Sequence, residues 1–199
     1  MKKSIIIGII FLVISLCLFG YVELKNSKIE KNRINIHNIT NSGAKNENVN
    51  VYLNASFIAG KIANYQHDDD NSFYVAFGDE VQYIVYMKNS YAKKINKYLL
   101  DNPEKTYRIV GITKIIPSEM EEYGQEFVKN WLDTNHHHEE NEVHSHEISK
   151  EEFYEYFGFV YLDNNTKTNH SFDILEKIGY LFGIVGIVLL FSGLKKKIW

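Results

Sequence analysis

Two uncharged apolar runs, one near each end of the chain, restrict its folding more than anything between them. Ile5 to Val22 reads IIIGIIFLVISLCLFGYV, and Ile178 to Leu194 reads IGYLFGIVGIVLLFSGL. A helix crosses a bilayer with about 20 apolar residues, in a range of about 17 to 25. Hydrocarbon offers the backbone no partner outside the helix itself. Both runs are therefore expected to be transmembrane helices. The first has the basic start of a signal peptide in Lys2 and Lys3, but SLCLFGYVEL offers only Gly20 as a small residue for cleavage. Leu16 stands where a lipoprotein signal needs a small residue before Cys17. Residues 1–22 read as an uncleaved signal anchor. The second run, 178–194, is followed by the basic tail 195–199, with Lys195, Lys196 and Lys197.

Basic residues favour the cytoplasmic side, so the expectation is a two-pass cell-membrane protein with both termini cytoplasmic and residues 23–177 outside. Lys25, Lys28, Lys31 and Arg33 oppose that orientation, but they open a long loop, and long loops translocate largely regardless of charge. Cys17 is the single cysteine, which excludes a disulfide framework, and its place within an apolar run removes it as a nucleophile.

Between the runs lies enough chain for one ordinary domain. Residues 23–48, rich in Lys, Asn and Ser, show no apolar period and read as a polar tether. From Val49 the pattern alternates: Val49, Val51, Leu53, Ala55 and Phe57 share one face of a half-buried strand. The apolar set then shifts to Ile58 and Ile62 around Gly60, which predicts a bulge or bend. HDDDNS (67–72) has turn chemistry and precedes two strands, FYVAF and VQYIVYM. Tyr91, Ile95, Tyr98 and Leu99 then fall on one helical face. TYRIVGITKII is a further strand. A helix follows, with Ser118 and Glu121 spaced as a capping box and Met120, Tyr123, Phe127, Val128 and Trp131 on its apolar face. Ser149 and Glu152 form a second box, Ile148 and Phe153 a hydrophobic staple, and FGFVYLD a last strand. The predicted core is Val51, Leu53, Phe57, Val85, Ile109 and Trp131.

The order of these elements predicts an α+β class: a small OB-like antiparallel β-barrel with two to three helices over 49–163, then a linker over 164–177. ASFIAGKIA, VQYIVYM, YRIVGITKIIP and FGFVYLD resemble segments of OB-like extracytoplasmic domains in a family of uncharacterised two-span membrane proteins of Gram-positive, low-GC bacteria, over residues 50–163. The abundance of Asn, Ile and Lys agrees with an AT-rich genome. The resemblance implies fold and location and carries no activity.

OB-like barrels often bind single strands through aromatic platforms. Here Phe73, Tyr74, Tyr83, Tyr86 and Tyr107 are expected in the core instead, because the chain is net acidic and the domain lies outside the cytoplasm; nucleic acid is not an expected partner. There is no Gly-x-Ser-x-Gly and no P-loop, and HEENE has Glu142 where a zincin needs its second histidine. Asp68, Asp69 and Asp70 begin a calcium-loop pattern but lack its glycine and its closing glutamate. The protein is not expected to be an enzyme.

NHHHEENEVHSHE, within the loop 135–147, holds five of the chain's eight histidines. His136 with His138, and His144 with His146, form two His-x-His pairs able to offer four nitrogens to zinc, copper or nickel. A polar linker between two capped helices, and a pH-responsive loop acting in an envelope sensor, are the other readings. Gly179 and Gly183 make a small-xxx-small spacing that can pack on the first span, through Gly8, or on a second copy as a homodimer. The leading expectation is a binding domain presented to a protein or envelope partner, with the bilayer as its anchor. The alternative is capture of metal for a membrane partner.

Overall fold

The computed structural model describes residues 2–40, 42–43, 45–65, 68–78, 81–135, 147–165 and 170–195. It divides into two compact units: Met1–Asn32 with Asn169–Trp199, and Arg33–Thr168.

The first unit is a pair of helices, α1 (Lys2–Lys31) and α6 (His170–Lys195), both long and apolar enough to cross a membrane. They run antiparallel and meet where side chains are smallest. A Cβ on Gly8 would lie 2.9 Å from the carbonyl oxygen of Gly186, and a Cβ on Gly186 would lie 2.9 Å from that of Gly8. The Ser15 hydroxyl donates to the Gly179 carbonyl at 2.7 Å. With 30 residues, α1 extends about 45 Å and runs well beyond the apolar stretch. Residues 23–31, expected in a tether, are therefore helical. So are 170–177, expected in a linker.

The second unit is α+β, with elements β1 (Ile34–Asn35), α2 (His37–Thr40), β2 (Asn50–Ala55), β3 (Phe57–Tyr65), β4 (Asp68–Gly78), β5 (Val81–Lys88), α3 (Asn89–Asp101), β6 (Tyr107–Ile115), α4 (Ser118–Asn135), α5 (Lys150–Phe157) and β7 (Val160–Asp163). The strands form one sheet in the order β1-β2-β6-β7-β5-β4-β3. It is mixed, not antiparallel as expected: β1 with β2 and β5 with β7 are parallel pairs. Among the described residues no ladder joins β1 to β3, so the sheet is not closed. The alternation of a strand reveals its inward face but not its neighbour. β7, entering between β5 and β6, and β1, beside β2, decide the mixture.

Both faces of the sheet are covered, so alternate residues of one strand enter different cores. Tyr83, Val85 and Met87 of β5 join Val51, Leu53, Ile109 and Leu162 beneath Ala92, Ile95 and Leu99 of α3. Ile84 joins Phe73, Val75 and Tyr161 beneath Met120, Val128, Phe153 and Phe157 of α4 and α5. The single predicted core is thus two.

Phe57 and Trp131 belong to neither and are exposed. Phe57 is displaced by Ser56, which stands between β2 and β3 and donates its N–H to the Phe77 carbonyl at 2.8 Å. One residue outside the ladder reverses the inward parity: Val51, Leu53 and Ala55 are buried before it, Ile58 after it. A register shift also occurs between Ile58 and Gly60, where a bulge was predicted. The end of β4 approaches β2 closely; a Cβ on Gly78 would lie 2.5 Å from the Asn54 carbonyl oxygen.

From Arg33 on, the described residues of the expected tether belong to this unit. Ile36 and Ile39 are buried in the α3-side core, and His37 Nδ1 lies 2.8 Å from the Tyr83 hydroxyl. Thr113, fully buried, donates to the Asn46 carbonyl at 2.6 Å and accepts the Val49 N–H at 3.1 Å. Asn48 between them takes the left-handed conformation that asparagine tolerates. Asp68, Asp69 and Asp70, expected in a turn, open β4 instead.

Candidate binding cleft

α4 carries two adjacent stripes. Met120, Gly124 and Val128 face inward. Tyr123, Phe127 and Trp131 follow at the same i, i+4, i+8 spacing beside them. Gly124 is where α5 packs closest: a Cβ there would fall 2.1 Å from Phe153. Lys150 reaches Glu121, Phe153 lies on Gly124, and Phe157 lines the same cleft as Val128, so α5 runs parallel to α4.

α5 starts as its sequence predicts. Ser149 Oγ accepts the Glu152 N–H at 3.2 Å, and the Glu152 carboxylate accepts the Ser149 N–H at 2.7 Å. Ile148 and Phe153, the predicted staple, are both buried in the same core. Glu121, expected to cap α4, turns its carboxylate to α5. One oxygen takes the Lys150 ammonium at 2.6 Å and the other accepts the Tyr154 hydroxyl. The hydrogen bond from Lys150, and then that from Tyr154, hold the Glu121 carboxyl below the usual carboxylate range. Burial, reinforced by the neighbouring Glu121, pushes Tyr154 up to about 12. The Gln125 amide donates to the Ile148 carbonyl at 2.9 Å and completes the clamp.

This clamp holds the helices over one end of the β4–β5 pair and leaves a narrow cleft between them, with free space of only about 10 Å³. Val128 and Phe157, both buried, line it together with Phe77, Gln82, Phe127, Trp131 and Tyr156. Phe57, Phe77 and Trp131 form a row, with ring centroids 6.1 and 6.3 Å apart. Trp131 is 40% exposed and Phe57 53%, against 2% or less for Phe73 and Phe153. Large aromatic rings left at a lip offer apolar area and negative ring faces to a ligand.

The residues singled out from sequence lie elsewhere. His136, His138, His144 and His146 fall outside the described residues. Among the described residues no group of three or more His, Cys, Asp or Glu side chains is placed to hold a metal ion. Phe73, Tyr74 and Tyr83 are buried, and Tyr86 and Tyr107 pack against the cores, so these aromatics are structural. Gly183 meets Ser15 and Gly179 meets Phe19, so α1 of the same chain occupies the glycine face considered for a homodimer. The sequence signal for the cleft was the Tyr123, Phe127, Trp131 stripe, which supplies more aromatic surface than the neighbouring inward stripe needs. No family model, curated protein or solved structure matches this chain.

Proposed function

We propose that this is a non-enzymatic, two-pass membrane protein whose OB-like domain sits outside the cytoplasm and engages a protein or envelope partner through the aromatic cleft. The row Phe57, Phe77 and Trp131 carries the reading: two of its three rings are exposed although two complete cores lie beside them. The OB-like assignment is supported by the pairing order. β2 and β3 act as two halves of one strand bent at Ser56, one half pairing with β6 and the other with β4, and β7 pairs parallel with β5. Lys2, Lys3 and the lysines at 195–197 support the orientation.

A photo-crosslinking residue at Trp131 or Phe57, introduced in intact cells, should yield a discrete adduct, and one at Lys94 on α3 should not. Equal adducts from all three sites would remove the cleft from the reading. In a Cys17→Ser background, Asn46→Cys should react with a membrane-impermeant thiol reagent; reaction of Lys196→Cys instead would reverse the orientation.

Metal capture by the His/Glu tract is the second reading, and the α4–α5 clamp favours it. Both ends of the tract are held, at Asn135 by α4 and at Ile148 by Gln125. Ten helical steps lead from Gln125 to Asn135, about 15 Å. Twelve residues close that gap with a reach of about 40 Å, enough slack for both His-x-His pairs to converge. Neutral imidazole is the ligand form, so zinc binding should fade below about pH 6.5. It should vanish when His136, His138, His144 and His146 are replaced by Ser; equal calorimetric heats for both proteins would reduce the tract to a linker.

A further inference from the structure

The turns of α1 that follow its apolar run sort their charges by side. Glu23 to Lys31 carries Lys25, Lys28 and Lys31 at three-residue spacing, together with Glu23 and Glu30. At about 100° per residue the three lysines span roughly 120° of the helix surface, and both glutamates fall roughly 150° round from their centre. All three lysines are exposed, and among the described residues no ion pair engages them. Leu24, 74% exposed, and Tyr21 lie on the same side. Lys25 Nζ stands 5.7 Å from the centroid of the Tyr21 ring, one turn back toward the apolar run. That direction is built into the helix, whose side chains lean toward its N-terminus. In α1 the apolar run lies N-terminal to the charged turns, so the lysines lean toward it. In α6 the order is reversed, and Lys177 leans away.

From this sidedness and this lean we infer that the lysine face of α1 binds the phosphates of anionic lipid headgroups, with Leu24 seated at their boundary with the acyl chains. The inference rests on the reading of α1 and α6 as membrane-spanning, and it holds on whichever side of the bilayer residues 23–177 lie. Ile5 to Val22 makes about 27 Å of helix against a hydrocarbon core of about 30 Å, so Val22 comes to the edge of that core. The headgroup layer beyond it is roughly 5 to 8 Å deep. Lys25 arises about 4.5 Å past Val22, Lys28 about 9 Å and Lys31 about 13.5 Å. A reach of one turn back, about 5.4 Å, brings Lys28 into the layer and Lys31 to its edge. An ammonium on a flexible stem suits phosphates approached from the water side. A zwitterionic headgroup carries a cation of its own, so the selection is for lipids of net negative charge. At physiological ionic strength the attraction acts over about 8 Å, which covers the layer. The glutamates, on the other flank, leave the lysine face uncompensated.

The test uses the intact protein in nanodiscs of phosphatidylcholine and phosphatidylglycerol in equal amounts. A photo-crosslinking residue in place of Leu24 samples the lipids beside the lysines, and mass spectrometry identifies the adducts. The same residue in place of Val13, exposed at the middle of the apolar run, is the reference. Phosphatidylglycerol adducts should outnumber phosphatidylcholine adducts several-fold at Leu24 and match the mixture at Val13. Lys25→Gln/Lys28→Gln/Lys31→Gln should bring the ratio at Leu24 down to that of the mixture, whereas Glu23→Gln/Glu30→Gln should leave the excess in place. An excess that survives the lysine variant would overturn the lipid site. So would a ratio at Leu24 equal to the mixture, or no lipid adduct there, and in each of these cases lipid adducts at Val13 keep the membrane-spanning reading standing. Lipid adducts at neither position would sink that reading as well.

Discussion

Between α1 and α6 the helices meet where side chains are smallest; the sheet domain, which has close glycine contacts of its own at Gly78 and Gly124, fills its interior with its largest side chains. Gly8 and Gly186 approach backbone to backbone, and Ser15 donates to the Gly179 carbonyl across the pair. The domain instead closes over Phe73, Tyr83, Phe153 and Phe157, all nearly inaccessible. The same force field yields both patterns because the surroundings differ. In the bilayer proposed for this pair a leucine surface gains little by leaving lipid tails for another helix, so close approach and hydrogen bonding would decide its packing. In water, removal of apolar area dominates, at about 25 cal/mol per Å². Added volume should therefore damage the hairpin, and deleted volume should damage the domain.

The largest expected effect is Phe153→Ala. It empties a fully buried site against Gly124 and should cost about 3–5 kcal/mol. Thermal unfolding of the intact protein in mild detergent, followed by near-ultraviolet circular dichroism, should show a clearly lowered midpoint. An unchanged midpoint would mean that α5 contributes nothing to the domain and the contrast fails.

Gly186→Leu applies the opposite change to the hairpin and should cost about 1–3 kcal/mol through overpacking. In a Cys17→Ser background, a short bifunctional thiol reagent should join Phe11→Cys to Phe182→Cys, whose native rings lie 5.3 Å apart. Gly186→Leu should slow that reaction markedly while leaving the domain's melting midpoint in place. Coupled loss of both signals would argue against two independent packing regimes.

Glu121→Gln sharpens the comparison within the domain, where a polar clamp supplements the apolar contact. The folded-state pKa of Glu121 is lowered, so its contribution is whole above the ordinary carboxylate value and disappears as pH falls through the lower folded value. The variant should melt below wild type at neutral pH, and the two curves should converge on acidification. A difference that persists in acid would assign the loss to packing rather than to the charge.

The smallest effect belongs to Ser15→Ala, which removes one hydrogen bond inside the hairpin, a bond worth about 0.6 kcal/mol where it joins helices within a bilayer. The same cross-link should slow slightly. A loss as large as that of Gly186→Leu would place hydrogen bonding, not close approach, in control of the pair.

Much of the fold was legible because local chemistry wrote it down. The apolar runs, the alternation over Val49 to Ala55, the face of α3 and the capping box at Ser149 each depend on residues within a few positions of one another. Phe57 was misplaced because Ser56 bonds Phe77, far along the chain, and so reverses the parity that local alternation suggested. Glu121 was misplaced because Lys150 and Tyr154 compete for the carboxylate that a capping box would have used. Ile36 and Ile39 were hidden because two isoleucines among polar residues make no period, yet the sheet covers them. Trp131 was counted as core because it shares a helical face with buried residues; only the position of the β4–β5 end shows that it stands at a lip.

By itself, then, the sequence determined most of the strands and helices between Val49 and Asp163, which ends are apolar enough for a bilayer, and where charge and histidine accumulate, since spacing and composition are sufficient for each; it missed the helical 23–31 and 170–177 and the start of β4. The tertiary structure alone decided strand neighbours, the division into two cores, the clamp between α4 and α5, and the meeting of Phe57, Phe77 and Trp131 in one row. Those depend on contacts between residues 20 to 77 positions apart, and a periodicity of two or of 3.6 carries no record of which distant face will arrive opposite.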